Sequence, residues 1–283
     1  MAWTKLRKLA ELIKWEHTIF ALPFSYMGSF LAAQGWPAGV KILWITVAMF
    51  GARSTAMAFN RLIDWRIDAR NPRTAGRHLP MKLVTSTDVL LLITVSLGLL
   101  ILAAAQLNPL CVKLLPFLLL LVIYPYTKRF TWLSHFVLGM ALGCAPMGGW
   151  IAITGKIHPA TILLGLIVCF WVAGFDIIYA TLDYDFDRKE GLYSIPARFG
   201  IKNALLIARL LHVIVVILLI VLGIYLRLGY LYAAGVLITA ALLHYEHYLA
   251  NPEDLSKVNL AFFNVNGTIS IILFVAVFLA IIM

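Results

Sequence analysis

The chain has 283 residues, of which 62% are hydrophobic and 13% charged, with a mean hydropathy of +0.92. That leaves too little polar surface to cover a soluble domain, so the composition defines a polytopic membrane protein. The formal charge of +10 on so apolar a chain points to anionic lipid and anionic substrate, and away from nucleic acid.

In chain order, Leu6, Leu9, Leu12 and Ile13 alternate with Lys5, Lys8, Glu11 and Lys14 at helical spacing. Residues 1–17 therefore read as an interfacial amphipathic helix, not as a cleaved signal peptide. About nine apolar runs of spanning length follow, at roughly 18–35, 41–60, 87–107, 109–127, 132–153, 159–182, 204–227, 229–249 and 260–282. The predicted fold is all-α, a single transmembrane helical bundle over residues 1–283. With the N-terminus inside, 17 of the 23 Lys and Arg and all thirteen acids fall at the cytoplasmic side. The bias toward positive charge inside fixes that orientation.

Smaller features get plain readings. Cys111, Cys144 and Cys169 stand singly in apolar runs and read as buried thiols without metal or redox spacing. The run Gly139, Ala141, Gly143 and Ala145 suits either close helix packing or open space for a ligand. His244 and His247 lack the spacing of a catalytic zinc helix and read as interfacial.

Seven of the thirteen acids sit in two short segments. The first runs from Asn60 through Asp64 to Asp68; the second holds Asp176, Tyr179, Asp183, Asp185, Asp187 and Glu190. In each, a polar residue is followed by acids four and eight positions on, so Asn60, Asp64 and Asp68 share one helix face, as do Tyr179, Asp183 and Asp187. Stacked like charges repel unless something positive sits between them, and oxygen ligands make Mg²⁺ the first candidate.

Three readings fit these stripes. The acids are surface residues neutralised by neighbouring arginines; or they form the ion relay of a transporter; or they face each other and hold Mg²⁺ against a diphosphate. A relay spread through the bilayer centre would cost roughly 10 kcal/mol or more for four carboxylates, and these acids cluster at the ends of the second and sixth spans. The third reading needs cations for phosphate oxygens, which Arg70, Arg73, Arg77, Lys128, Arg188 and Lys189 supply.

Together these segments resemble the UbiA family of membrane-bound aromatic prenyltransferases over essentially the whole chain. The resemblance rests on Asn60, Asp64 and Asp68 followed by Arg73-Thr-Ala-Gly-Arg77, on Asp183 and Asp187 preceded by Asp176 and Tyr179, and on Tyr124-x-x-x-Lys128. Lys128-Arg129-Phe-Thr resembles the matching segment of 4-hydroxybenzoate polyprenyltransferases, whereas Asn71-Pro-Arg-Thr-Ala-Gly-Arg77 and Ser194-Ile-Pro-Ala-Arg198 resemble a branch that includes menaquinone enzymes acting on a dihydroxynaphthoate. The resemblance implies helices around a central cavity that opens to the bilayer. It also implies Mg²⁺ held by Asp64, Asp68, Asp183 and Asp187, which makes these four the catalytic set, and substrates, a polyprenyl diphosphate and its acceptor, bound through Arg53, Asn60, Arg73, Arg77, Tyr124, Lys128, Arg129, Asp176 and Tyr179.

The implied reaction attaches the prenyl group to a small aromatic acid at the cytoplasmic rim of a bacterial-type inner membrane. Arg53 lies one heptad before Asn60 and deeper in the bilayer. An intramembrane Arg calls for an anionic partner: by resemblance the acceptor's carboxylate, or alternatively Asp176. Asn60 is expected to orient the acceptor or a metal-bound oxygen.

Overall fold

The computed structural model describes residues 2–15 and 18–283, and of residues 2–4, 18–20 and 263 the backbone alone. Residues 1, 16 and 17 of the expected N-terminal helix lie outside that set. Its helical part is α1 (Ala2–Leu12). Leu12 and Ile13 are buried in a cluster with Ala58, Val89 and Ile93, with Leu9 packed against it. Thus α1 sits on the polar end of the bundle, and Leu6 alone of its apolar stripe stays exposed, at 60%.

The first two spans are α2 (Thr18–Ala33) and α3 (Gly39–Arg70). The latter is ten residues longer at its C-terminal end than the expected 41–60, because nothing after Gly51 breaks a helix until Asn71-Pro72. Proline pushes the residue before it out of the helical region, and Asn71 is extended, at φ −85° and ψ 118°. The whole first acidic motif therefore rides on one continuous helix.

Next come α4 (Ser86–Leu107), started by a reciprocal Thr85–Asp88 capping box, and α5 (Pro109–Lys113). The expected fourth span is not one helix. It is α5, a 3₁₀ turn at Leu115–Leu118, and α6 (Leu119–Thr127). Pro116 and Pro125 remove amide donors along it.

The core pair is α7 (Ser134–Thr154) and α8 (Pro159–Ala180). A Cβ on Gly139 would lie 2.2 Å from the Cys169 carbonyl oxygen, and one on Gly143 2.6 Å from that of Gly165. Those glycines let the two backbones touch, while Ala141 and Ala145 line open space; the small-residue run does both jobs.

After α8 the chain makes a 3₁₀ turn at Thr181–Asp183 and continues as α9 (Tyr184–Glu190) and α10 (Ile195–Phe199). The remaining spans are α11 (Ile201–Leu226) and α12 (Gly229–Leu249), then α13 (Val258–Leu260), a π turn at Ala261–Val265, and α14 (Asn266–Ile282).

Among the described residues five helical segments are long and apolar enough to cross a membrane, and Ala21–Ala33, Leu115–Thr127 and Asn266–Ile282 are shorter apolar helical segments. Along α11, Leu206, Leu210, Val213, Ile217, Ile220 and Ile224 are all exposed at helical spacing, a stripe that only lipid can cover. Neighbour contacts run α2, α3, α6, α7, α8, α11, α12, α14 and back to α2, with α2 also packed backbone to backbone against α7 at Gly28 and Gly149 and with α4 outside α3. The protein is an integral membrane helical bundle. At its far end Lys41 Nζ donates to the carbonyls of Leu107 (2.5 Å) and Ala152 (3.3 Å), tying α3 to α4 and α7.

Candidate active site

Within the bundle is a cavity of about 630 Å³. Its walls are mainly apolar, from Phe24, Leu107, Leu118 and Trp171 among others, and its polar groups include Arg53, Asn60, Arg61, Arg77, Tyr124 and Asp176. Both acidic motifs stand at the same end of the bundle.

On α3, Asn60 Nδ2 donates to Tyr124 Oη at 2.8 Å and reaches Asp64 Oδ2 at 3.3 Å. The Asp64 side chain is 2% exposed and takes Lys128 Nζ at 2.6 Å and Arg129 Nη2 at 3.2 Å. One turn on, Arg77 Nη1 donates to both oxygens of Asp68 at 2.7 Å, a charge-assisted contact. The loop that brings Arg77 back is held by Thr74 Oγ1, which donates to the Asp68 carbonyl at 3.0 Å.

At the second motif Arg73 grips Asp183 with both Nε (2.9 Å) and Nη2, donates through Nη1 to Tyr179 Oη at 2.8 Å, and lies 4.9 Å over the Tyr179 ring. Burial works against the charge of Arg73, but the Asp183 carboxylate and the Tyr179 hydroxyl together hold its guanidinium above the ordinary range. Asp187 accepts from Ser194 Oγ at 2.9 Å. Arg70 and Glu190 close the rim with a 2.9 Å pair.

Every expected site residue thus lies at this rim or on the cavity wall, with two departures. The second stripe does not ride on regular α-helix throughout: a 3₁₀ turn at Thr181–Asp183 interrupts it, although Arg73 still reaches both Tyr179 and Asp183. Thr181 Oγ1 donates to the Ile178 carbonyl at 2.7 Å, a local bond that competes with helix propagation. And Asp176 is paired with His135, not Arg53: His135 Nδ1 lies 2.7 Å from Asp176 Oδ2. Arg53 lines the cavity on α3.

The acids are met by arginine and lysine, as the plainest of the three sequence readings has it. Among the described residues no group of three or more His, Cys, Asp or Glu stands together as a ready metal cage. The donor set is nonetheless all oxygen, the chemistry that a hard divalent cation takes.

Three contributors escaped the sequence reading. Asn71 Nδ2 donates to Asp183 Oδ1 at 2.8 Å while its own Oδ1 accepts from the Arg73 amide, so the residue that ends α3 also joins the two motifs. Its signal was the Asn-Pro stop directly after the first motif. Arg61, 7% exposed, donates to the Leu12 carbonyl (3.4 Å) and to Asn60 Oδ1 (3.3 Å); its register beside Asn60 did not announce that. His135 had no sequence signal.

Two minor features gain detail. His247, in the last turn of α12, is buried 3.0 Å from His212. Cys144 is exposed onto the cavity wall, while Cys169 is buried.

An apolar cavity inside a membrane bundle, closed at one end by acids interleaved with cations, defines a class of protein that handles an amphiphile with a multiply charged anionic head. The particular assignment comes from comparison. Residues 21–281 match the UbiA prenyltransferase family, and the chain belongs to that family. It is 33% identical over 272 residues to a 4-hydroxybenzoate octaprenyltransferase of Aliivibrio salmonicida, covering 96% of this chain and 92% of the relative. Among solved structures, the apo form of a UbiA homolog from Aeropyrum pernix K1 superposes with a TM-score of 0.86 at 34% identity, covering 93% of this chain and 98% of that one. A UbiA homolog from Archaeoglobus fulgidus, bound to GPP and Mg²⁺, shares the fold at a TM-score of 0.75 and 20% identity, covering 98% and 100% of the two chains.

Proposed function

We propose that the protein transfers a polyprenyl group from an isoprenoid diphosphate to the ring of 4-hydroxybenzoate, in ubiquinone synthesis. The observation that carries this reading is the junction of two chemistries in one space. The apolar cavity suits an isoprenoid chain, and the rim of Asp64, Asp68, Asp183 and Asp187 with Arg73, Arg77, Lys128 and Arg129 suits its diphosphate. The activity named for the Aliivibrio relative supports the acceptor.

Mg²⁺ is the cofactor in this reading, supported by the ion bound to the Archaeoglobus homolog and by the all-oxygen donor set of the four aspartates. Bound there, it would neutralise charge growing on the departing diphosphate. The chain's own groups do the rest. Asp64, Asp68, Asp183 and Asp187 would hold the ion, and Arg73, Arg77, Lys128 and Arg129, which face those carboxylates at the rim, are placed to take phosphate oxygens. Arg53 takes the acceptor's carboxylate, and Asn60 and Tyr124 form a polar shelf between acceptor and diphosphate.

The allylic C–O bond breaks with its electron pair leaving on the diphosphate. The ring carbon bonds to the freed prenyl carbon, and the ring gives up a proton. Apolar walls keep out the water that would otherwise capture the cation.

A dihydroxynaphthoate acceptor carries the same carboxylate and phenol. The two segments that suggested it, residues 71–77 and 194–198, supply the Asn71 bond to Asp183 and the Ser194 bond to Asp187, contacts that do not touch the acceptor. The transporter reading has no support from a rim whose acids all sit at one end.

Incubating purified protein with labelled farnesyl diphosphate, Mg²⁺ and each candidate phenol tests the proposal, because product mass names the acceptor. Ion flux in liposomes without any prenylated product would sink it. The same reading sets the rim on the cytoplasmic face of a bacterial-type inner membrane. In a cysteine-free background Gly76→Cys and Lys189→Cys should then label only from inside and Ile157→Cys only from outside, and labelling of Gly76→Cys and Lys189→Cys from opposite sides would end it.

A further inference from the structure

The Asp176 carboxylate is an acid that the diphosphate chemistry does not use. It stands on α8, 25% exposed, and lines the cavity. Among the described residues its side chain bonds only to His135, through Oδ2, which leaves Oδ1 for whatever occupies the cavity. A half-buried carboxylate oxygen that faces a mainly apolar cavity is costly unless an O–H or N–H donor meets it there.

His135 on α7 is 3% exposed and has a fixed tautomer. The Ile195 amide donates to its Nε2 at 3.3 Å, so the ring proton sits on Nδ1 and points at Asp176. His135 therefore acts as a neutral donor that orients Asp176 without cancelling its charge. The support continues outward: Ser194, whose hydroxyl bonds Asp187, also accepts from the Ala197 amide at 3.2 Å and so fixes the start of α10. One short chain of contacts joins the second acidic motif to the cavity carboxylate.

We propose that Asp176, held by His135, accepts a hydrogen bond from the phenolic hydroxyl of the aromatic acceptor, which makes His135 a positioning residue for the acceptor ring. The inference rests on the prenyl-transfer reading of the site. A phenol with a pKa of about 10 keeps its proton at neutral pH and donates it to a carboxylate in a strong charge-assisted bond. The bond raises electron density on the ring carbons beside the hydroxyl, where the prenyl carbon attaches. With Arg53 reading the carboxylate, the cavity selects a ring that carries both groups.

The test compares the binding of 4-hydroxybenzoate with that of benzoate, which lacks the hydroxyl, by calorimetry in the presence of Mg²⁺ and farnesyl thiolodiphosphate as an unreactive donor. Wild-type protein should prefer 4-hydroxybenzoate by about tenfold or more. His135→Ala and Asp176→Leu should bring that ratio close to one while leaving benzoate affinity and the KM for the prenyl diphosphate unchanged. His135→Asn, which keeps a donor near the Nδ1 position, should restore most of the preference. An undiminished preference in His135→Ala, or in Asp176→Asn should the Ala and Leu variants not fold, overturns the proposal; so does equal weakening of both ligands. If wild-type protein with reactive donor prenylates no phenol, the failure belongs to the proposed function instead.

Discussion

The first acidic motif rides on an unbroken 32-residue helix, whereas the second straddles a helix break. Asp64 and Asp68 are nearly sealed, at 1% and 5% exposed, and are clamped by cations from α6 and from the loop after α3. The Asp183 side chain is 17% exposed and is held by Arg73 and Asn71 across the rim. Two copies of one spacing thus yield a rigid half and a half able to adjust, which suits a site that must admit a bulky head group and then close on it.

The sharpest way to break this comparison is to ask whether the halves are chemically equal. Asp64→Ala and Asp183→Ala should each lower turnover by about a thousandfold or more, since each removes an anchor for the diphosphate charge. EDTA should do the same to wild-type protein, and product formed per minute, read by mass, checks all three. A variant that keeps a tenth of its activity would show that its half is dispensable.

Stability should separate the halves where chemistry does not. Asp64→Ala removes a carboxylate that is 2% exposed and meets two cations. Lys128 and Arg129 are 30% and 37% exposed and still reach water, so the expected cost is about 1–3 kcal/mol. Asp183→Ala breaks a wetter pair worth about 1 kcal/mol or less. Thermal unfolding in detergent should therefore rank Asp64→Ala below Asp183→Ala, and the opposite order would mean that the break, not the long helix, carries the fold.

Arg53→Ala probes the cavity away from both halves. It should raise the KM for a carboxylated acceptor by about tenfold while the KM for the diphosphate stays within about twofold, because only the acceptor loses its counter-ion. The smallest effect is expected from Thr181→Ala, which removes the hydroxyl bond to Ile178. A change in turnover of no more than about threefold fits a break that the backbone of the loop already enforces; a large loss would show that the bend itself positions Asp183.

Much of this was legible in the chain. The spans fell out of hydropathy, and the fused helix α3 was implied by the lack of any breaker before Asn71-Pro72. The four rim aspartates carried a signal in their spacing, and Arg73, Arg77 and Lys128, which grip three of them, lay in the motifs that carry the resemblance. Residues whose partners are distant in sequence carried none. His135 meets Asp176 across 41 positions and Asn71 meets Asp183 across 112, and no local period encodes such a meeting.

By itself, then, the sequence determined that the protein lies in a membrane, that its acids gather at one end, and which residues are the candidates for the diphosphate chemistry. These properties follow from hydropathy, charge and spacing along one helix, all of which act within a few turns of chain. Only the tertiary structure decided which cation faces which acid, that a 3₁₀ turn interrupts the second stripe, and that Asp176 answers to His135 instead of Arg53. Those outcomes depend on how close the glycines of α7 let α8 approach, and on where the loops after α3 and α9 return their side chains. Both are set by packing between elements, a property that no single segment contains.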